Sequence, residues 1–285
     1  MAVQSTVAVA ATLAQLHVAL APWRKAGSKI ALIPTMGALH DGHLAHVAEA
    51  AKHADKVVVS VFVNPTQFAP HEDFGRYPRT FDTDKEKLER TGKVQLIYAP
   101  DAREMYPEGF ATKVSMDGPA SGLETAFRPH FFAGVATVVT KLFTQCRPDF
   151  ATFGEKDYQQ LLVVTRLSRD LDLGVKIVPV PTLREADGLA LSSRNAYLNA
   201  DQRKVAGNLN RMLLRVAERA RSGVPIAEAE AEGAAALINA GFDRVDYVAI
   251  RDAETLAQIR SIERPARVLA AARVGAIRLI DNRAV

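Results

Sequence analysis

Two histidines, His40 and His43, stand three residues apart inside the segment Pro34–Leu44, which reads PTMGALHDGHL. On a helix that spacing puts both rings on one face, where they could reach one ligand. The segment follows an apolar run, Lys29–Ile33, and precedes an alanine-rich stretch of helical spacing, His46–Ala54. A strand therefore feeds a glycine-containing loop that opens a helix. The first N–H groups of a helix lack internal partners and carry partial positive charge, so they attract anions. A neutral imidazole adds one N–H donor and an imidazolium adds two, which suits a nucleotide phosphate. Either histidine alone reads equally well as a cap or a surface residue; the pair, Gly42 and the strand-end position favour a site. Gly37 and Gly42 have P-loop spacing, but His43 and Leu44 stand where that motif needs Lys and Ser or Thr. No G-x-G-x-x-G dinucleotide fingerprint is present.

Three further groups of residues could complete such a site. Asn64-Pro65-Thr66-Gln67-Phe68 offers uncharged amides, suited to hydroxyls and to a carboxylate that must stay nucleophilic; an Asn-Pro turn explains Asn64 as well. In Gly154-Glu155-Lys156-Asp157, Lys156 could meet a phosphate and Asp157 a ribose hydroxyl, with Gln160 on the same face as Asp157; alternatively Asp157 is an N-cap. Asp187–Asn195 (DGLALSSRN) places Ser192, Ser193 and Arg194 in an anion cradle on a mobile loop. Weaker candidates are Tyr77-Pro78-Arg79 at a pocket rim and Arg128 as a phosphate contact. Asp82 and Asp84 read either as metal ligands or as helix-start charges. Cys146, the one cysteine, lies among Leu142 and Phe143 and reads as core, and a single cysteine allows no internal disulfide and no cysteine-based metal site. The metal ligands stay unknown.

Strands and helices must carry these loops. Apolar runs at Lys29–Ile33, Lys56–Val63, Val94–Tyr98, Phe150–Phe153 and Val175–Val180 alternate with helical patterns at His43–Ala54, Thr83–Arg90, Val135–Cys146 and Tyr158–Leu171. Strands apolar on both faces and separated by helices predict an α/β fold, a doubly wound parallel sheet whose ligands bind at the carboxyl ends of its strands. After Thr182 the rhythm changes to helices at Asp201–Ser222 and Ile226–Ala240, then β-rich runs at Val245–Ile250, Arg267–Ala272 and Ala276–Ile280. This predicts a Rossmann-like domain over 1–182 and a smaller α+β domain over 183–285 that covers the active site. Leu13, Leu16, Leu20 and Trp23 mark one face of an amphipathic first helix rather than a signal peptide. The chain has 285 residues, 48% hydrophobic and 24% charged, with a net charge of +4. Its basic residues are scattered, which argues against a nucleic-acid partner, and no run approaches a membrane span. A reducing, cytoplasmic location is expected.

Taken together, PTMGALHDGHL (34–44), VNPTQF (63–68), RYPRT (76–80), GEKDYQQL (154–161), DGLALSSRN (187–195) and RLIDN (278–282) resemble the pantoate–β-alanine ligase family over essentially the whole chain. The resemblance implies a Rossmann-like nucleotidyltransferase-type fold. It also implies ATP-dependent condensation of (R)-pantoate with β-alanine through a pantoyl adenylate, in the biosynthesis of pantothenate and coenzyme A. It assigns ATP binding to Met36, Gly37, Ala38, Leu39, His40, Asp41, Gly42 and His43, to Gly154, Glu155, Lys156 and Asp157, and to Leu183, Leu191, Ser192, Ser193 and Arg194. It assigns pantoate to Gln67 and Gln160, with Gln67 also bordering β-alanine. His43 carries the role of proton donor, and His40, Lys156 and Arg194 join it around the triphosphate. Mg²⁺ accompanies ATP, and a cytosolic homodimer is implied. One departure is Arg128-Pro129-His130-Phe131-Phe132, where members often read Arg-Pro-Gly-His-Phe; another is Thr66, where methionine is frequent. Two other readings remain: an adenylyltransferase acting on a different small acid or a phosphate acceptor, and a nucleotide- or RNA-binding module without catalysis.

Overall fold

The computed structural model describes residues 6–69 and 72–285. Residues 1–5 of the expected first domain lie outside them. Strand β1 (Ala8–Ala10) precedes helix α1 (Leu13–Lys25), followed by β2 (Ile30–Thr35), α2 (Asp41–Ala50), β3 (Lys56–Val61), α3 (Phe81–Thr91), β4 (Leu96–Tyr98), α4 (Ala102–Met105), α5 (Glu124–Phe127), α6 (Phe131–Cys146), β5 (Phe150–Gly154), α7 (Tyr158–Asp170) and β6 (Lys176–Val180). The strands form one parallel sheet in the order β1-β4-β3-β2-β5-β6. Side chains alternate across it. Leu32 and Val58 face a core shared with α1, α6 and α7, while Ile33, Val57 and Val59 face a second core with Val47 of α2 and Leu88 of α3. Both faces are therefore apolar, which is why these strands read as unbroken hydrophobic runs.

The remaining elements are α8 (Ala200–Ala206), α9 (Asn208–Arg221), α10 (Ile226–Asn239) and strands β7 (Arg244–Asp252), β8 (Ala266–Val274) and β9 (Ile277–Ala284), which form an antiparallel sheet in sequence order. Leu209, Leu213 and Val216 of α9 cover one face of that sheet, against Ile250, Val268 and Ala270. Its other face sets Ala249 and Leu269 against Leu123 and Leu256, with Tyr158 and Leu162 of α7 alongside. The second sheet thus packs across the carboxyl-end side chains of the first unit.

The differences from the sequence reading have local causes. β1, with three residues at the sheet edge, is too short to show an alternation. The helix expected over 201–222 is divided at Gly207, which keeps a right-handed helical backbone; with no side chain there, Asp187 can approach where a Cβ would collide with its carboxylate. α6 begins at Phe131, four residues earlier than its apolar spacing suggested. Gly134 in its first turn has no room for a Cβ, which would lie 2.5 Å from the Thr66 carbonyl oxygen. That close approach presses α6 against the loop carrying Gln67.

Candidate active site

In this topology the chain moves outward from β2 through β3 and β4, then returns to place β5 on the other side of β2. Ligands of open parallel sheets bind where the strand order reverses, outside the carboxyl ends. The loops after β2, β3 and β5 carry His40 and His43, Gln67, and Lys156. With the hairpin that carries Ser193 they surround one cavity of about 860 Å³, a size suited to a small-molecule substrate.

The loop after β2 is set by its backbone. Gly37 and Ala38 take left-handed φ values of 80° and 52°. Such a conformation needs support, and α3 supplies it. The buried carboxylate of Asp84 accepts the N–H groups of Ala38 and Leu39, both at 2.8 Å, and the Thr80 hydroxyl at 3.1 Å. Lys87 Nζ donates to the Leu39 carbonyl. Asp84 is therefore a brace for the loop rather than a metal ligand, while Asp82 remains an exposed charge in the first turn of α3. Among the described residues no cluster of three His, Cys, Asp or Glu side chains could hold a metal.

The brace delivers two oriented imidazoles. His40 caps α2, its Nδ1 accepting from the Gly42 N–H at 3.1 Å, and the His40 N–H donates to His43 Nδ1 at 3.2 Å. Both Nδ1 atoms act as acceptors, so in the neutral rings the proton sits on Nε2. The rings lie 4.2 Å apart. Burial, with the nearby His40, His46 and Lys156, pushes His43 down to about 3; burial and Lys156 also lower His40. At neutral pH both are uncharged donors. Burial likewise brings His46 to about 4.

These shifts set a stability trend. Below the ordinary value near 6.5 the unfolded chain takes up protons at His43 and His46, whereas the folded chain refuses them until near 3 and 4. Stability is thus full above 6.5 and falls as pH drops, by up to about 1.4 kcal/mol per pH unit for each ring. We expect the melting temperature to decline steadily between pH 6.5 and 5, and the decline to shrink in His43→Gln. A melting temperature that is flat over this range would contradict the assignment.

Gln67 is aimed by Asn64. Asn64 Nδ2 donates to Gln67 Oε1 at 3.0 Å and to the Gly134 carbonyl at 3.2 Å, while Asn64 Oδ1 accepts from Tyr106 Oη at 2.8 Å. With its oxygen engaged, Gln67 presents Nε2, 3.2 Å from Met36 Sδ. Asn64 also caps the short turn Pro65–Gln67, as the Asn-Pro turn reading expects. Gln160 lines the same cavity. Lys156 lies 3.7 Å from Asp157, whose carboxylate makes no helix cap. Asn282 of β9 donates to the carbonyls of Glu155 and Lys156, both at 2.8 Å, and so pins this turn from the second sheet.

The loop that carries Ser193 and Arg194 is a hairpin tied at its base. Arg184 is bidentate on Asp281 (2.7 and 2.9 Å), Arg203 holds Glu185 and Asp187, and Asn195 donates to Glu185 and the Ala190 carbonyl at 3.1 Å. Ser193 Oγ lies 3.2 Å from Tyr77 Oη, and the Arg194 guanidinium stands over the Tyr77 ring, which joins Tyr77 to the cavity wall.

Of the residues singled out in the sequence, Met36, His40, Gly42, His43, Gln67, Gly154, Lys156, Asp157, Gln160, Leu183, Leu191, Ser192, Ser193 and Arg194 line the cavity. Gly37, Ala38, Leu39, Asp41 and Glu155 are not on its wall: Ala38 and Leu39 give their N–H groups to Asp84, Leu39 is buried in the α2–α3 core, and Asp41 faces solvent. Arg128 lines the cavity, but its guanidinium is committed to Glu72 (2.6 and 2.9 Å) and the Gln67 carbonyl, so it braces the wall rather than waiting for phosphate. His130 lies off the wall, where Phe131 and Phe132 stand. Sequence reasoning did not single out His46, Tyr77's link to Ser193, or the cluster of Glu124, Arg278, Asp246 and Tyr247 (Arg278–Glu124 2.7 Å, Arg278–Asp246 2.7 Å). Those partners are separated by up to 154 positions, and only a histidine at i+3 from His43 left a local signal.

A family model described as pantoate-beta-alanine ligase matches residues 8–284. The chain is 58% identical over 277 residues to a pantothenate synthetase of Nitrobacter hamburgensis, covering 96% of this chain and 97% of that one. It is 59% identical over 279 residues to one of Rhodopseudomonas palustris, covering 97% and 98%. The crystal structure of pantothenate synthetase from Thermus thermophilus superposes with a TM-score of 0.91 at 48% identity, covering 97% of this chain and 99% of that chain. That of the Francisella tularensis pantoate-beta-alanine ligase, complexed with beta-gamma ATP and beta-alanine, gives 0.82 at 30% identity, covering 97% of each.

Proposed function

The chain belongs to the pantoate–β-alanine ligase family, and from that premise we infer that its cavity joins (R)-pantoate to β-alanine at the expense of ATP. The observation that carries the reading is the meeting of His43, Gln67, Lys156 and Ser193, from four distant stretches, around one cavity.

In the first step a pantoate carboxylate oxygen bonds to the α-phosphorus of ATP as the bond to the pyrophosphate oxygen breaks. The nucleophile belongs to the substrate, so the protein's task is positioning and charge stabilisation. Uncharged amides at Gln67 and Gln160 hold pantoate without an ion pair that would quench its carboxylate. Nε2–H groups of His40 and His43, the Lys156 ammonium, Ser193 and Arg194 donate to the phosphates. A ring that burial holds neutral is a hydrogen-bond donor to phosphate oxygen, and in this reading His43 stabilises the departing pyrophosphate without transferring a proton. In the second step the β-alanine amine forms a bond to the acyl carbon, the acyl–oxygen bond breaks, AMP leaves with the electron pair, and the amine proton passes to solvent.

Mg²⁺ enters this reading as part of the substrate, held by ATP oxygens and water, since the carboxylate best placed beside the loop, Asp84, is committed to backbone amides. Residues 1–182 are assigned to an ATP- and pantoate-binding domain and 183–285 to a domain covering it, a division supported by the two sheets. A homodimer in the cytoplasm completes the proposal; no helix of the described residues is long and apolar enough to cross a membrane.

The protein incubated with ATP, Mg²⁺, pantoate and β-alanine should yield AMP, pyrophosphate and pantothenate. Production of ADP would reject adenylation in favour of an acyl phosphate. Turnover of a phosphorylated acceptor but not of pantoate would favour the adenylyltransferase reading.

A further inference from the structure

A third histidine, His46, lies one turn beyond His43 on α2 and on the same cavity wall. The chemistry above gives it no task. Its Nδ1 sits 3.0 Å from Thr152 Oγ1 of β5, which fixes the ring. Its Nε2 makes no hydrogen bond to a described residue, yet it is not among the sealed, unpartnered polar atoms, so it stays open to the cavity. The same Nε2 would lie only 3.3 Å from a Cβ on Gly154, which places the ring over the strand end where Gly154–Asp157 begins. Burial keeps the ring neutral, and Asp157 is among the charged groups acting on it.

The direction of a bound nucleotide follows from what the rest of the wall can accept. His40, His43 and Lys156 gather at the start of α2, and the amides of Gln67 and Gln160 hold the acid beside the α-phosphate. The nucleoside must leave that cluster by another route. The turn Gly154–Asp157 on the same cavity wall provides one, since Asp157 reads as a contact for ribose hydroxyls. His46 lines that side of the cavity.

We propose that His46 Nε2 hydrogen-bonds the adenosine portion of ATP, making His46 a nucleoside-binding residue distinct from the phosphate-binding pair His40 and His43. The inference rests on the nucleotide reading of the cavity. It concerns the adenosine half of the ligand rather than the phosphate half.

The test pairs His46→Leu, which removes both ring nitrogens, with His46→Gln, which restores a terminal donor and acceptor. Losing one neutral hydrogen bond should raise KM for ATP and the inhibition constant of adenosine about fivefold in His46→Leu. The change should fall on KM rather than on kcat and should leave KM for pantoate and inhibition by pyrophosphate within twofold. His46→Gln should recover most of the lost affinity. Unchanged ATP and adenosine affinity in His46→Leu would overturn the proposal, as would weakened pyrophosphate inhibition with adenosine unaffected, which would put His46 at the phosphates. Calorimetry of adenosine binding reads His46 without turnover. A wild-type protein that binds adenosine through His46 but forms no pantothenate would sink the ligase reading and leave this inference standing.

Discussion

His43→Ala slows adenylate formation by at least about 10²-fold, the scale of losing one preorganised donor at a developing negative charge. The measurement is single-turnover pyrophosphate release with ATP and pantoate. Three observations set the size. The ring is buried enough to bring His43 down to about 3, so its N–H acts in a medium that screens charge poorly. Its tautomer is fixed, because Nδ1 accepts the His40 N–H at 3.2 Å and the proton must lie on Nε2. Its backbone is held by a loop that Asp84 ties at two successive amides. Alanine also leaves the His40 N–H without its acceptor, so part of the loss falls on the position of His40. His43→Asn separates the two effects, since a short amide can accept that N–H without reaching as far as Nε2. Adenylate formation as slow in His43→Asn as in His43→Ala assigns the loss to the missing donor; recovery in His43→Asn assigns it to the loop. Pyrophosphate release close to wild type in His43→Ala would remove His43 from the chemistry.

How much of this arrangement could be read beforehand depended on sequence distance. Five of the six strands of the parallel sheet announced themselves as apolar runs, the central ones because they are buried on both faces, as Leu32 and Ile33 show by facing opposite cores. The loop at His40 and His43 was legible because cap, glycine and helix lie within a few residues. Asp84 was visible as an acidic residue at a helix start, but its work is done across 45 positions, on the amides of Ala38 and Leu39, and a carboxylate that accepts backbone N–H groups looks in sequence like one that could hold a cation. Arg128 illustrates the same limit. An arginine near a phosphate-binding pattern invites the anion reading, and only the fold reveals that Glu72 already occupies it. The hairpin at Asp187–Asn195 shows its anion-cradle residues in sequence, but the ion pairs that tie its base come from α8 and β9 and are invisible there.

Arg278→Leu should cost about 3 kcal/mol of stability, the lower end of the range for removing one partner of a buried ion pair. Arg278 is itself largely buried, and its guanidinium joins Glu124 (2.7 Å), from the first unit, to Asp246 (2.7 Å), from the second sheet; side-chain exposure of the two carboxylates is 6% and 2%. The lower end applies because each carboxylate keeps other company. Tyr247 Oη donates to Glu124 at 2.8 Å, Arg128 lies 3.6 Å from Glu124, and Arg244 lies 2.9 Å from Asp246. Leucine restores bulk but none of the charge, so the cost is electrostatic rather than a cavity. For a chain of this size the loss should appear as a melting temperature lower by on the order of 10 °C. Adding Glu124→Gln should then be less destabilising in the Arg278→Leu background than in the wild type, because it removes one of the two charges left uncompensated. Equal cost in both backgrounds would show that the pair contributes nothing across the junction. Because Glu124 and Arg278 both line the cavity, the variant should also weaken pantoate and ATP binding at temperatures where it remains folded. A variant that loses stability but keeps both KM values would confine the cluster to holding the sheets together and leave the shape of the site to Asn282 and its grip on the Lys156 turn.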